Sequence, residues 1–343
     1  MFKDNTVFVV GAGASAEFGL PVGSGLMQTI KNNCNFVLDF GTFRAGPAPI
    51  IQHYERTFDR RDQAKVDDLN KRLEASWQIR DGIESAESID EYIYRYSENL
   101  LIAEVGKLQI AYAISNAEMT SSLSLEKGFH ENLDRADNTW IWTFTKALIN
   151  GVKARELERI GDNITIICFN YDRCIEHYLE HALTRSFHGL TIKDARSIVR
   201  NIRIIHPYGW LGELDKFPFG DVKQFAQMAG NLITWSETIQ EPAIIEDMRA
   251  AISEAQRIVF MGFAFANQNM QLLNSNPTRL KSIGPKIYST GYLLPRENEE
   301  SLSHNIAALY SVGVTKTSLS NIHFQFGAKC KEFFDIHRLN LVQ

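Results

Sequence analysis

The chain has 343 residues, 44% hydrophobic and 22% charged, a balance that excludes long disorder and suits one large domain or two ordinary ones. Its 36 basic against 41 acidic side chains give a net charge of −5 with no basic block, which argues against a dedicated nucleic-acid surface. The cysteines (Cys34, Cys168, Cys174, Cys330) are scattered and no basic-then-apolar leader or membrane-length apolar run occurs, so a reduced, cytoplasmic chain without a zinc ribbon is expected.

The first predicted strand is Val7-Phe8-Val9-Val10, which stops at Gly11-Ala12-Gly13-Ala14-Ser15-Ala16, with Gly19-Leu20-Pro21 following. The stretch from about Gly41 to Val152 carries helical patterns and no convincing strand. Its clearest helix starts at Ser88-Ile89-Asp90-Glu91, which has capping-box spacing, and an amphipathic period runs from Ile89 through Tyr92, Ile93, Tyr96 and Leu100 to Leu108. Further strands are expected at Ile164–Phe169, Ile202–His206, Arg257–Gly262, Lys286–Leu293 and Ile322–Phe326. Helical patterns at Ile175–Leu183, Pro242–Ala255, Asn298–Leu309 and Lys329–Asp335 separate or follow them. Continuous apolar strands alternating with helices predict an α/β fold, a Rossmann-like parallel sheet with helices on both faces. The expected organisation is residues 1–40 and 153–343 as that domain, with 41–152 as an inserted all-helical subdomain.

Four strand ends carry candidate chemistry. Gly11-x-Gly13-x-x-Ala16 has the spacing of a glycine-rich phosphate turn, in which small residues allow a tight turn, a close backbone approach to a pyrophosphate and helix–strand packing. A tight turn without ligand reads the same way, and the acidic ribose ligand of nicotinamide dehydrogenases has no counterpart here. Asn170-Tyr171-Asp172 ends the second buried strand, where Asp172 also suits a helix cap. His206-Pro207-Tyr208-Gly209 and Gly262-Phe263-Ala264 end two more.

Together these motifs resemble the sirtuin-like (silent information regulator 2 type) superfamily. That pattern has a GAGxS turn with a following Gly-Ile/Leu-Pro, an Asn-x-Asp strand end and a histidine-containing turn before glycine. Here Gly11-Ala12-Gly13-Ala14-Ser15 with Gly19-Leu20-Pro21, then Asn170-Tyr171-Asp172, then His206 and Gly209 match it over about Val7–Pro21 and Ile164–Phe265. The four-cysteine zinc module of the deacylases is missing, as is their aromatic–arginine pair after the proline. The Asn-Tyr-Asp form and the long insertion look instead like bacterial enzymes that hydrolyse NAD in antiphage defence.

The resemblance implies NAD+ as substrate without a metal. Gly11, Ala12, Gly13, Ala14, Ser15 and Pro21 would hold it, with Tyr208, Gly262 and Phe263 lining the site. Asn170 would position ribose or water, Asp172 would support the ribose or the developing charge, and His206 would be the base. The family's histidine stands immediately before the glycine, where this chain has Tyr208; strand alternation would point positions 206 and 208 the same way, so either suits, with His206 favoured. Control by homo-oligomer assembly or by a separately encoded partner such as a HerA-type ATPase is implied. Two other readings are a non-catalytic NAD or ADP-ribose sensor and a zinc hydrolase on the H-x-x-E-H run His177–His181.

Overall fold

The computed structural model describes residues 1–59, 61–125, 135–280 and 283–343. Within them, in chain order, lie β1 (Thr6–Val10), β2 (Val37–Asp39), β3 (Thr42–Ala45), β4 (Ile164–Cys168), β5 (Ile204–Ile205), β6 (Arg257–Met261), β7 (Lys286–Gly291) and β8 (Ile322–Phe326). Six of them form one parallel sheet in the order β5-β4-β1-β6-β7-β8. The expected α/β, Rossmann-like architecture is therefore present, and every predicted sheet strand is found. From β1 the chain moves outward through β4 to β5, then crosses back to β6 and moves outward the other way. The order thus reverses between β1 and β6, and their carboxyl ends flank the crevice where open α/β sheets take ligands.

Strand alternation divides the interior in two. Val7, Val9, Ile167, Ile258 and Phe260 face one core, while Phe8, Val10, Ile166, Cys168 and Val259 face the other. The first core is covered by α2 (Gly23–Asn33), α3 (Ala48–Thr57), α4 (Gln63–Gly82), α5 (Ile89–Arg95), α6 (Leu100–Thr120) and the helix Pro242–Glu254. The second is covered by α7 (Trp140–Ile149), α8 (Cys174–Ser186), α9 (Ile192–Asn201) and the C-terminal helix Cys330–Leu341. At the centre of the second, Phe144 lies 5.2 Å from Phe8 and 6.2 Å from Phe334, ring to ring.

The 41–152 stretch consequently serves both layers: α3 to α6 roof one face of the sheet, whereas α7 packs on the other. It also contains β3, which pairs antiparallel with β2, although no strand was expected there. Phe40 and Gly41, both at positive φ (46° and 73°), make the turn. The two strands are short and mostly exposed, so they leave no apolar periodicity to read. The expected helical period from Ile89 to Leu108 is broken as well. Helix α5 ends at Arg95, and Asn99 begins α6 afresh by accepting the Leu101 N–H at 3.2 Å. Only half of the expected capping box forms: Ser88 accepts the Glu91 N–H, whereas the Glu91 carboxylate turns to the Glu87 N–H.

Candidate functional site

The glycine turn leaves β1 as a single helical turn, α1 (Ala12–Ser15). The Gly11 N–H donates to the Met261 carbonyl and the Gly13 N–H to the Gly262 carbonyl, both at 2.9 Å. A Cβ on Gly11 would lie 2.6 Å from the Gly262 oxygen, and one on Gly13 would lie 2.8 Å from the Gly262 Cα. The close approach that these glycines permit is thus made, in this structure, by the loop after β6, so the two loops flanking the crevice are locked backbone to backbone. Gly262 sits at φ 56° and Phe265 at φ 58°, a conformation costly for phenylalanine. From the opposite face, the Trp140 indole N–H donates to the Ala14 carbonyl at 2.9 Å. Gly19 (φ 91°) ends the turn after α1, and the half-buried Pro21 leads into α2, which interrupts the first helix as the sequence suggests. Ala12, Gly13 and Gly262 remain partly exposed above the crevice.

Asn170 joins this turn from β4. Its side-chain N–H groups donate to the Gly11 carbonyl at 3.2 Å and to the Ser15 hydroxyl at 2.9 Å, fixing the amide's orientation. Asp172 caps α8 by accepting the Cys174 N–H at 3.1 Å. Burial raises the Asp172 pKa, opposed by hydrogen bonds from Ser15 and Cys174. The next residue, Arg173, is wholly buried and bound to the equally buried Glu118 of α6. Glu118 also accepts the Arg173 and Gly220 N–H groups, at 3.0 and 3.1 Å. The roof is thereby anchored beside Asn170.

His206 and Tyr208 part company. The chain turns after β5, with the Gly209 N–H donating to the His206 carbonyl, so strand alternation no longer applies and the expected common direction is not found. Gly209 is required there: at φ 66°, its Cβ would fall 2.1 Å from the Asn231 oxygen. His206 lies against Cys168 of the second core, with Nε2 2.9 Å from Glu176 Oε1 and its ring stacked on Trp210. Burial would lower its pKa, but the Cys168 thiol and the Glu176 carboxylate outweigh this and raise it well above the ordinary range. Tyr208 instead enters the first core. Its hydroxyl donates to Asn269 Oδ1 at 2.7 Å, and its ring lies 5.8 Å from Phe169 and 6.3 Å from Tyr171. Phe263 completes this aromatic floor, 5.3 Å from Phe169.

The roof adds side chains that lie outside the four strand-end motifs. The Tyr171 hydroxyl donates to Asp90 Oδ1 in the first turn of α5. Asp90 is part-exposed, and burial of its carboxyl, opposed by the Tyr171 hydrogen bond, pushes its pKa up to about 6. Gln109 of α6 is fully buried, and neither of its amide atoms has a hydrogen-bond partner among the described residues. The signal for Asp90 lay in the Ser88 cap, which fixes the start of α5 but says nothing of what α5 faces.

The H-x-x-E-H run is packed against its own surroundings. Burial pulls the pKa of His177 down to about 3, its Nε2 sits 3.0 Å from the Leu123 carbonyl and its ring stacks on Phe219. Glu180 is bound in two places to Arg196, both at 2.9 Å. Among the described residues no group of three or more histidine, cysteine or acidic side chains is placed to hold a metal ion, and no helix is long and apolar enough to cross a membrane. A cavity of about 650 Å³ lies away from the crevice, between α3, α4, α6 and residues 226–237. Its Arg72 and Lys107 are already paired with acidic neighbours. Comparison of the chain with protein-family models, curated proteins and solved structures finds no match.

Proposed function

We propose that the chain binds NAD+ in the crevice between the loops after β1 and β6, beneath α5 and α6, and hydrolyses its nicotinamide–ribose bond to give ADP-ribose and nicotinamide. One observation carries this reading: the Gly11–Ser15 turn, Asn170 and the Gly262 loop are hydrogen-bonded into one constellation at the switch point of a parallel sheet. The sequence resemblance supplies the substrate.

The chemistry asks little of the protein. Nicotinamide leaves as a neutral molecule, so no acid is needed. The site must hold the ribose, stabilise an oxocarbenium-like centre and present water. The bonds from Asn170 to Gly11 and Ser15 orient its amide oxygen as an acceptor for a ribose hydroxyl or that water. Tyr208, Phe169 and Phe263 form an apolar wall for the planar leaving group. In this reading His206, which the resemblance would make the base, is instead paired with Glu176 and holds the end of β5.

A second reading has its own observation: Tyr208 occupies the face that the resemblance gives to the catalytic histidine. This favours an NAD or ADP-ribose sensor that binds without turnover. The resemblance further implies a cytoplasmic, NAD-depleting effector of antiphage defence, held in check by homo-oligomer formation or a HerA-type ATPase. The fully exposed Phe40 at the β2–β3 turn offers an assembly contact. Incubating the wild type with NAD+ and following free nicotinamide and the ligand-induced rise in Tm separates the readings. Nicotinamide release that Asn170→Ala abolishes supports the hydrolase; a Tm rise without release supports the sensor.

A further inference from the structure

We propose that Asp90, on the roof helix α5, is the general base of the crevice, the carboxylate that takes the proton of the attacking water in place of a histidine. The inference rests on the hydrolase reading and deepens it.

Breaking the ribose–pyridinium bond calls for an anion beside the sugar, because the positive charge passes from the pyridinium to the ribose as the bond opens and nicotinamide leaves neutral. Most carboxylates around the four strand ends are already engaged. Asp172 caps α8, Glu118 neutralises Arg173, Glu176 holds His206, and Glu17 accepts the Trp140 and Lys331 N–H groups. Asp90 differs. Its side chain accepts from the neutral Tyr171 hydroxyl, it is part-exposed, and its partner is the residue next to Asn170. The titratable groups bearing on it are Tyr171 and Tyr208, and burial with this negative neighbour raises both of their pKa values. Neither phenol is ionised at neutral pH, so neither competes as base.

A second observation comes from the same roof. Gly106 of α6 packs against Ile93 of α5, and Gln109 lies one turn further along that stripe. Gln109 is buried with both amide atoms unpartnered, which points to a polar guest beneath the roof, because such a group is costly to leave unsatisfied.

In the step, the C1′–N bond breaks with its electron pair going to nicotinamide, and the water oxygen bonds to C1′. The water proton passes to Asp90 Oδ2 and from there to solvent, leaving ADP-ribose. The base is competent only when ionised, so turnover rises through the Asp90 pKa of about 6 as pH increases. Tyr171 donates to the ionised form. Its removal therefore moves that rise to higher pH.

The test follows nicotinamide release by the full chain from pH 5 to 9 for wild type, Asp90→Asn, Asp90→Glu and Tyr171→Phe, with Asn170→Ala as the control for the site. Asp90→Asn is expected to lower kcat about 100-fold or more with KM and the NAD-induced Tm rise retained. Asp90→Glu restores part of the rate, and Tyr171→Phe shifts the acid limb upward. Release by Asp90→Asn at the wild-type rate, with its acid limb intact, overturns the assignment while leaving the hydrolase in place. If Asp90→Asn does not fold, an acid limb that Tyr171→Phe leaves unmoved overturns it equally. Absence of release from the wild type removes the hydrolase reading and Asp90's role with it.

Discussion

Removing the carboxylate of Glu118 tests how the insertion is held to the sheet. Arg173 gives its Nε–H to Glu118 at 3.1 Å and its remaining N–H groups to Glu118 and to the carbonyls of Gly212, Phe217 and Pro218. Both side chains have zero exposure, so water does not replace a lost partner. Glu118→Ala would leave a desolvated guanidinium, and breaking a buried pair from one side costs about 3–5 kcal/mol. It also orphans the Gly220 and Arg173 N–H groups, at about 1–3 kcal/mol each, so a total of at least about 5 kcal/mol is expected. Glu118→Gln keeps an acceptor and loses the charge, so it should fall between, at about 3 kcal/mol. The double change Glu118→Leu/Arg173→Met removes both charges together and should recover much of the loss, because the desolvation cost disappears with the attraction. Urea unfolding at pH 7 of wild type, Glu118→Ala, Glu118→Gln, Glu118→Leu, Arg173→Met and the double variant measures all of this. A Glu118→Ala loss under about 1 kcal/mol, or losses that simply add in the double variant, would refute the reasoning.

Gly262→Ala should lose roughly 2–4 kcal/mol, read as a lower urea midpoint, because its Cβ would lie 2.1 Å from the Ala14 nitrogen at φ 56°. His206→Gln should cost about 3 kcal/mol at pH 6 by stranding Glu176. The folded-state pKa of His206 is raised, so its contribution is complete below the unfolded value of about 6.5 and is lost as pH rises through the folded value. The gap between wild type and variant in thermal melts should close accordingly at high pH. Asp90 has the same pH sign, but its replacement has the opposite effect on stability. Its carboxyl is raised to about 6, so the folded state binds the extra proton and stability falls as pH rises from about 4 to 6. Asp90→Asn should remove that slope and gain roughly 1–3 kcal/mol at pH 7 in urea melts.

The sheet was legible because buried parallel strands are continuous apolar runs bounded by turn residues, the form of β1, β4 and β6, while β7 and β8 are short β-branched or aromatic runs between turn residues. The glycine turn was legible too, although its glycines meet Gly262, a residue more than two hundred positions away whose proximity no local pattern encodes. The His206–Tyr208 divergence escaped because the alternation rule presumes an extended strand, and the Gly209 turn ends the strand first. The Asn170-Tyr171-Asp172 motif gave no sign of what Tyr171 would meet, and its hydroxyl donates to Asp90 of α5. The Glu118–Arg173 pair escaped for a related reason: the residues are 55 positions apart, and nothing local to either encodes the docking of α6 that buries both.

The most direct measurement is free nicotinamide, followed over time after NAD+ is added to purified wild type, Asn170→Ala and His206→Gln. The account predicts release from wild type and from His206→Gln, and none above background from Asn170→Ala. Release that survives in Asn170→Ala, or that disappears only in His206→Gln, would contradict it.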